Sequence, residues 1–193
     1  MTNTSSDFGN LVLQNPKGYL DSISHHELRL FPYYAGYASI FAETVLRTIG
    51  ANGDSTVLDP WNGSGTTTLA AAKLGYKAIG QDLNPVMVLV GRAALLQSSE
   101  ANSLIPQAKA IVSGCGQRAS DQIVDDPLTK WFAPANARTI RTIEAEINRS
   151  LVSDSEYVSL ANREALSGIS SRASLFYVAL FRATRKLLAD FVP

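Results

Sequence analysis

Apolar side chains recur at helical spacing from Tyr37 onward, with Ile40, Phe41, Val45, Leu46 and Ile49 falling on one face. That period predicts an amphipathic helix, ended by Gly50, Asn52 and Gly53. The pattern then changes. Thr56-Val57-Leu58 is a short β-branched apolar run, as a strand is, and it leads directly into a glycine-rich turn. Residues 68–74, rich in Ala and Leu, predict a helix with Gly75 as its C-terminal cap, and residues 76–82 predict a second strand. Asn84 and Pro85 stand as N-cap and first helical residue of a helix over residues 85–96. A β-α-β-α series with short turns implies an α/β fold with a parallel, Rossmann-like sheet.

Beyond Gln97 the strand signals stop. A polar linker spans residues 98–103, and helices are expected over 103–112, 136–151 and 171–191. Ile140, Ile143, Ile147 and Leu151 make one stripe of the second; Leu175, Val178, Ala179, Leu187 and Leu188 mark one side of the third. Ser/Gly-rich joints fall at 150–155 and 167–174, and there are no repeats. The expected organisation is a flexible arm over residues 1–24, a Rossmann-like portion over 25–97 and a mainly helical region over 98–193.

Composition narrows the class. A hydrophobic share of 46% with 18% charged residues belongs to globular proteins. Glu43 and Arg92 break the longest apolar stretches, so none nears the roughly 20 residues that span a bilayer. The first residues are polar and carry no secretory pattern, so a cytoplasmic protein without a membrane partner is expected. Cys115 is the one cysteine, and His25 and His26 are adjacent, which leaves no metal-ligand spacing. Seventeen basic residues balance seventeen acidic ones, with nine Lys/Arg against six Asp/Glu from Lys130 onward and eight against eleven before it. That mild bias is less than a protein gripping a phosphate backbone unaided would carry. Any such grip falls to a local patch or another polypeptide. Trp131-Phe132 with Arg138 and the arginines after it are candidates for a docking surface, or for the solvated faces of helices.

The chemistry concentrates in Asp59-Pro60-Trp61-Asn62-Gly63-Ser64-Gly65-Thr66-Thr67. A strand ending in glycines lets backbone N–H groups and a helix N-terminus approach a polar ligand closely. Asp82, at the end of the second predicted strand, follows Asp59 by 23 residues, near the spacing of about 20 for an acid that binds ribose hydroxyls. A dinucleotide fingerprint would need a third glycine where Thr68 stands, and a triphosphate loop would need Lys after Gly65.

The segment closely resembles the first motif, D-P-F-x-G-S-G-T-T, of adenine-N6 and cytosine-N4 DNA amino-methyltransferases, with Trp61 for Phe. Gly80-Gln81-Asp82-Leu83-Asn84-Pro85 is similar to their second motif, G-x-D-x-N-P. Phe31-Pro32-Tyr33-Tyr34-Ala35-Gly36-Tyr37 is similar to the segment that closes over the methionine end of the cofactor. The likeness covers about residues 25–96 and implies that S-adenosyl-L-methionine is the cofactor. By that resemblance Asp59, Trp61 and the turn Gly63, Ser64 and Gly65 would hold the methionine end, with Thr66 and Thr67 adding contacts. Asp82 would take the ribose hydroxyls, Leu83 would lie against the adenine, and Tyr33 would line the methionine side.

The same resemblance implies an (Asp/Asn/Ser)-Pro-Pro-(Tyr/Phe) segment that receives a flipped base. No two prolines are adjacent in this sequence, and Cys115 follows Gly114, not the proline of a cytosine-C5 nucleophile. The catalytic residues are therefore unknown. The expectation is a cofactor-binding subunit or fragment of a DNA amino-methyltransferase, with RNA left open as substrate. A complementary chain, a second copy of this one or a downstream part would finish the sheet, and the catalytic motif would be supplied by another chain, as in a split enzyme, or be missing. The runner-up is a non-catalytic S-adenosylmethionine-binding regulatory or scaffold module. A complete small methyltransferase and a nicotinamide oxidoreductase come after it.

Overall fold

The computed structural model describes residues 16, 36–50, 54–116, 126–152 and 166–188. The chain divides into two compact units, Met1–Gly91 and Arg92–Pro193.

In the first unit, helix α1 (Ser39–Thr48) precedes strand β1 (Thr56–Asp59), helix α2 (Thr66–Lys73), strand β2 (Lys77–Gly80) and all but the last two residues of helix α3 (Pro85–Ala93). The two strands run parallel, with Thr56 opposite Lys77, Leu58 opposite Ile79 and Asp59 opposite Gly80. Helix α2 is the crossover that parallel pairing requires. Small side chains let it sit close to α1. Ala42 and Leu46 of α1 and Ala70 and Ala71 of α2 form the buried centre, with Tyr37, Val57, Leu74 and Tyr76 packed against it. The predicted apolar face of α1 is therefore shifted: Ile40 is 38% and Ile49 48% exposed, while Ala42 takes the inward position. Outside that core, Lys73 meets Glu43 at 3.3 Å, a surface pair that contributes little.

Alternation along a strand assigns the two sheet faces. Val57 turns toward the core under α2, and Asp59, two residues on, reaches a side chain of α2. Leu58 and Ile79, side by side on the opposite face, are 60% and 50% exposed. Among the described residues nothing covers that face, and the sheet has two strands. Parallel sheets normally have both faces buried.

The second unit is helical among its described residues. It contains α4 (Ala101–Cys115), α5 (Pro134–Leu151) and α6 (Ser171–Leu188), with short 3-10 turns at Ser98–Glu100, Pro127–Lys130 and Leu166–Gly168. Ile111, Ala137, Ile140, Ile147, Ile169, Ala173 and Val178 are buried. The polar stretch expected as a linker at 98–103 instead folds, as a 3-10 turn running into α4. Its polar groups are used there: Ser103 Oγ donates to the Glu100 carbonyl at 2.7 Å, and Arg172 Nε donates to the Glu100 carboxylate at 3.0 Å. On α6 the inward positions are Ala173, Ser174 and Val178, whereas Leu187 is 55% exposed, so the expected stripe is only partly the packed one. The neighbours of a helix, not its bulkiest residues, decide which face is covered.

One corner of this unit is held by charge. Asp126 caps the turn by accepting from Leu128 N at 2.8 Å, and Arg141 Nε donates to its other oxygen at 2.7 Å while Arg141 Nη1 reaches Glu144 at 2.6 Å. The Arg141 guanidinium holds the Asp126 carboxyl below its ordinary value. Glu146, 7% exposed, is satisfied by Arg149 and by Ser150 Oγ. It lies where a side chain at Gly114 would stand: a Cβ there would come within 2.6 Å of Glu146 Oε1.

Candidate functional site

The site is built where β1 ends. Gly63 and Gly65 both have positive φ, 51° and 88°, a conformation that side-chain-bearing residues adopt at a cost. This reversal turns the chain from strand to helix within a few residues. Gly65 N donates to the Asn62 carbonyl at 2.8 Å, and Leu69 N donates to the Gly65 carbonyl at 2.8 Å, so the turn runs directly into the first turn of α2. Gly65 has a second duty. A Cβ there would meet the Cα of Gly91, on α3, at 3.0 Å.

Two carboxylates flank the turn. Asp59 accepts from Trp61 N at 3.0 Å with one oxygen and from the Thr67 hydroxyl with the other. The Thr67 hydroxyl is bonded in turn to that of Tyr37. With one proton per hydroxyl, Tyr37 donates to Thr67 and Thr67 to Asp59, a relay that ties α1 and α2 to the strand tip. Asp82 accepts from Gly63 N at 2.8 Å with Oδ2 and from Asn84 N at 2.8 Å with Oδ1. Each of its oxygens keeps a further lone pair for a hydroxyl donor. Asn84 caps α3 as expected, accepting from Val86 N at 3.0 Å.

Of the residues expected from sequence, Asp59, Gly63, Ser64, Gly65, Thr66, Thr67 and Asp82 come together around this turn. Ser64 and Thr66 bring their hydroxyls within 3.5 Å of each other. Trp61 and Leu83 border it as outward-facing apolar surface, 78% and 96% exposed. Tyr33, like the rest of the segment 31–35, lies outside the described residues.

Other residues of this site were not singled out by their type. In the sequence Tyr37 reads as an apolar helix position and as the end of the 31–37 segment; in the structure its hydroxyl starts the relay to Asp59. Thr68, where a dinucleotide fold would carry glycine, has its hydroxyl 3.0 Å from Asn62 Oδ1 and 3.1 Å from the Gly65 carbonyl. The close backbone approach that a third glycine would permit occurs between Gly65 and Gly91. A glycine inside the apolar run 86–96 was the available signal, since it weakens a helix unless something packs against it.

Elsewhere the titratable groups engage each other. Burial, and then the Glu146 charge, push the Cys115 thiol up from its ordinary value, which makes it a poor nucleophile. An open depression of about 640 Å³ in the second unit is lined by Glu100, Gln107 and Arg172 among others. Two of these, Glu100 and Arg172, are paired. No group of three or more metal-ligating side chains occurs among the described residues, and no described helix is long and apolar enough to cross a membrane.

A family-model comparison falls on the same segment. A family model described as DNA methylase, of the N6/N4 type, matches residues 40–90. The type II methyltransferase M.BsoBI of Geobacillus stearothermophilus is 39% identical over 54 residues, 28% of this chain and 11% of that protein. The likeness is thus to DNA adenine/cytosine amino-methyltransferases and covers about a quarter of the chain, which spans about a tenth of the length of that relative. No solved structure matches.

Proposed function

We propose that the first unit is the S-adenosyl-L-methionine-binding portion of a DNA amino-methyltransferase acting on adenine N6 or cytosine N4. The single observation that carries this reading is the turn at Gly63 and Gly65, held between two strand-end carboxylates. The cofactor presents an amino group, two ribose hydroxyls and an adenine ring, and the residues fit that set. Asp59 and Asp82 supply acceptors for the cationic and hydroxyl groups, Ser64 and Thr66 supply hydroxyls, and Leu83 offers an apolar surface for a ring. Trp61 lies beside them, and Tyr33 belongs with the methionine end on the motif likeness alone. When bound, the cofactor supplies an electrophilic methyl group for an amine. The protein's own part here is to grip and orient it: the carboxylates neutralise its positive charges, and the glycines remove side chains that would hold it off.

The second half of the reading concerns what these residues lack. The 193 residues contain no adjacent prolines, hence no segment of the kind that holds a target amine in this family. The bare Leu58–Ile79 face agrees with a Rossmann-like sheet that is completed by further polypeptide. We therefore assign the amine-holding motif to polypeptide other than these residues, in a complementary chain or elsewhere in a longer one, the missing cover to that polypeptide or a second copy, and DNA to the assembled protein.

Calorimetry with S-adenosylmethionine tests the first half. Binding is expected, and Asp82→Ala should weaken it on the order of tenfold or more if its hydroxyl bonds form. No heat with the wild-type chain, or unchanged affinity in the variant, would count against the assignment. Transfer of a labelled methyl group to DNA only after a complementary chain is added would support the second half. Cofactor binding with no transfer under any pairing would favour a regulatory module.

A further inference from the structure

The turn residue between Trp61 and Gly63 belongs to no part of the reading above, yet it occupies the most crowded point of the site. A Cβ built on Gly80 would come within 2.5 Å of Asn62 Cγ, 2.6 Å of Nδ2 and 2.8 Å of Oδ1. A Cβ on Gly91 would come within 2.9 Å of Asn62 Nδ2. Gly80 ends β2 and Gly91 lies in α3, so glycines from two different elements form a socket, and the Asn62 side chain fills it. Its amide oxygen is fixed by the Thr68 hydroxyl at 3.0 Å. Its backbone is fixed as well: Asn62 N donates to the Gln81 carbonyl at 2.9 Å, and Gln81 N donates to the Asp59 carbonyl at 2.9 Å. The Asn62 carbonyl then receives Gly65 N, and the next residue, Gly63, donates to Asp82.

We infer that Asn62 is the positioning residue of this site: seated between Gly80 and Gly91, it sets the distance from the glycine turn to Asp82. It has no need to touch a ligand for this. A shorter side chain leaves the socket empty and removes one of the two acceptors in reach of the Thr68 hydroxyl, leaving the Gly65 carbonyl. The two ends that the turn connects are then free to shift, and Gly63 N–H drifts from Asp82. A ligand that must reach the turn and the Asp82 carboxylate together would bind more weakly, whereas the core between α1 and α2, which Asn62 does not enter, would persist.

The inference rests on the cofactor reading only for the second of its two readouts. The first is amide hydrogen exchange at Gly63 and Gly65 in the ligand-free full chain. Asn62→Ala should speed exchange at both by about tenfold, with little change in α1. Asn62→Asp, which keeps shape and an acceptor oxygen, should stay much closer to wild type. The second readout is affinity for S-adenosylmethionine, expected to fall about tenfold in Asn62→Ala with the thermal midpoint little changed. Gly80→Ala should also weaken binding, and adding Asn62→Ala to it should cost less than it does alone, because the clash is then gone. Unchanged exchange at Gly63 in Asn62→Ala overturns the inference, whatever binds. Faster exchange in a protein that binds no S-adenosylmethionine overturns the cofactor reading and leaves the role of Asn62 standing. Independent, additive effects of the two substitutions would show that the socket is not a unit.

Discussion

The two units use their residues in opposite ways. The second turns its charged groups on one another, although Gln107 Oε1 and Ser174 Oγ are buried there without a hydrogen-bond partner among the described residues. Its buried side chains include Ile147, Ile169 and Val178, its buried acid Glu146 is bonded to Arg149 and Ser150, and Arg141 brackets Asp126 and Glu144. The first unit is built largely of small residues around a turn, has Ala and Leu at its centre, and leaves Leu58, Ile79, Trp61 and Leu83 toward solvent. Its polar groups are fixed just as firmly, but toward one another at the tip of a strand, where each Asp82 oxygen keeps a further lone pair. One unit spends its polar groups on packed helices, the other on a single strand-to-helix turn.

Substitutions can break that contrast or sharpen it. The largest effect is expected at Ile147, 2% exposed on α5: Ile147→Ala should cost about 3 kcal/mol, as emptied core sites do. Denaturant unfolding followed by probes in each unit should register the loss in the helical one. A loss under about 1 kcal/mol would mean that its packing is looser than its burial suggests. Gly65→Ala should follow, at roughly 1–3 kcal/mol, because the residue has φ of 88° and would press on Gly91. Unlike Ile147→Ala, it should also abolish cofactor binding by calorimetry. Retained affinity would detach the turn from the site.

Smaller effects discriminate further. Leu58→Ser with Ile79→Ser should change stability by no more than about 0.5 kcal/mol each, since both are half or more exposed. The pair should nonetheless reduce concentration-dependent association in sedimentation or light scattering. A stability loss well beyond that size would show that the face is already covered. The smallest effect concerns acid. The Asp126 carboxyl is held below its ordinary value by Arg141, so its contribution is present above the unfolded value, about pH 4, and fades as pH falls through the folded one. Melting of the helical unit across that range should show the decline, and Asp126→Asn should flatten it. An identical acid response in the variant would assign the decline to other carboxyls.

Much of this arrangement is legible along the chain, for local reasons. A reversal with positive φ leaves glycines, a strand tip that grips hydroxyls leaves an acid, and a helix start leaves Asn84-Pro85. These marks placed both strands, the turn and α3 within a few residues. What the sequence does not display is who meets whom. Asn62 reads as an ordinary turn residue until Gly80 and Gly91 are brought beside it, and Tyr37 reads as an apolar ring until its hydroxyl finds Thr67. Helical stripes fail in the same manner: Ser174 is buried on α6 while Leu187 is not, because burial is decided by contacts that sequence spacing cannot specify. The polar stretch 98–103 looked like a linker because its partner, Arg172, lies some seventy residues away.

The uncovered Leu58–Ile79 pair has a consequence for the life of the molecule in a cell. A protein that exhibits two neighbouring aliphatic side chains on an open strand pair is a natural client for chaperones and a target for proteolytic clearance whenever it is made in excess of what shields it. On the proposed reading, in which further polypeptide covers this pair, its abundance would follow the supply of that cover rather than its own rate of synthesis.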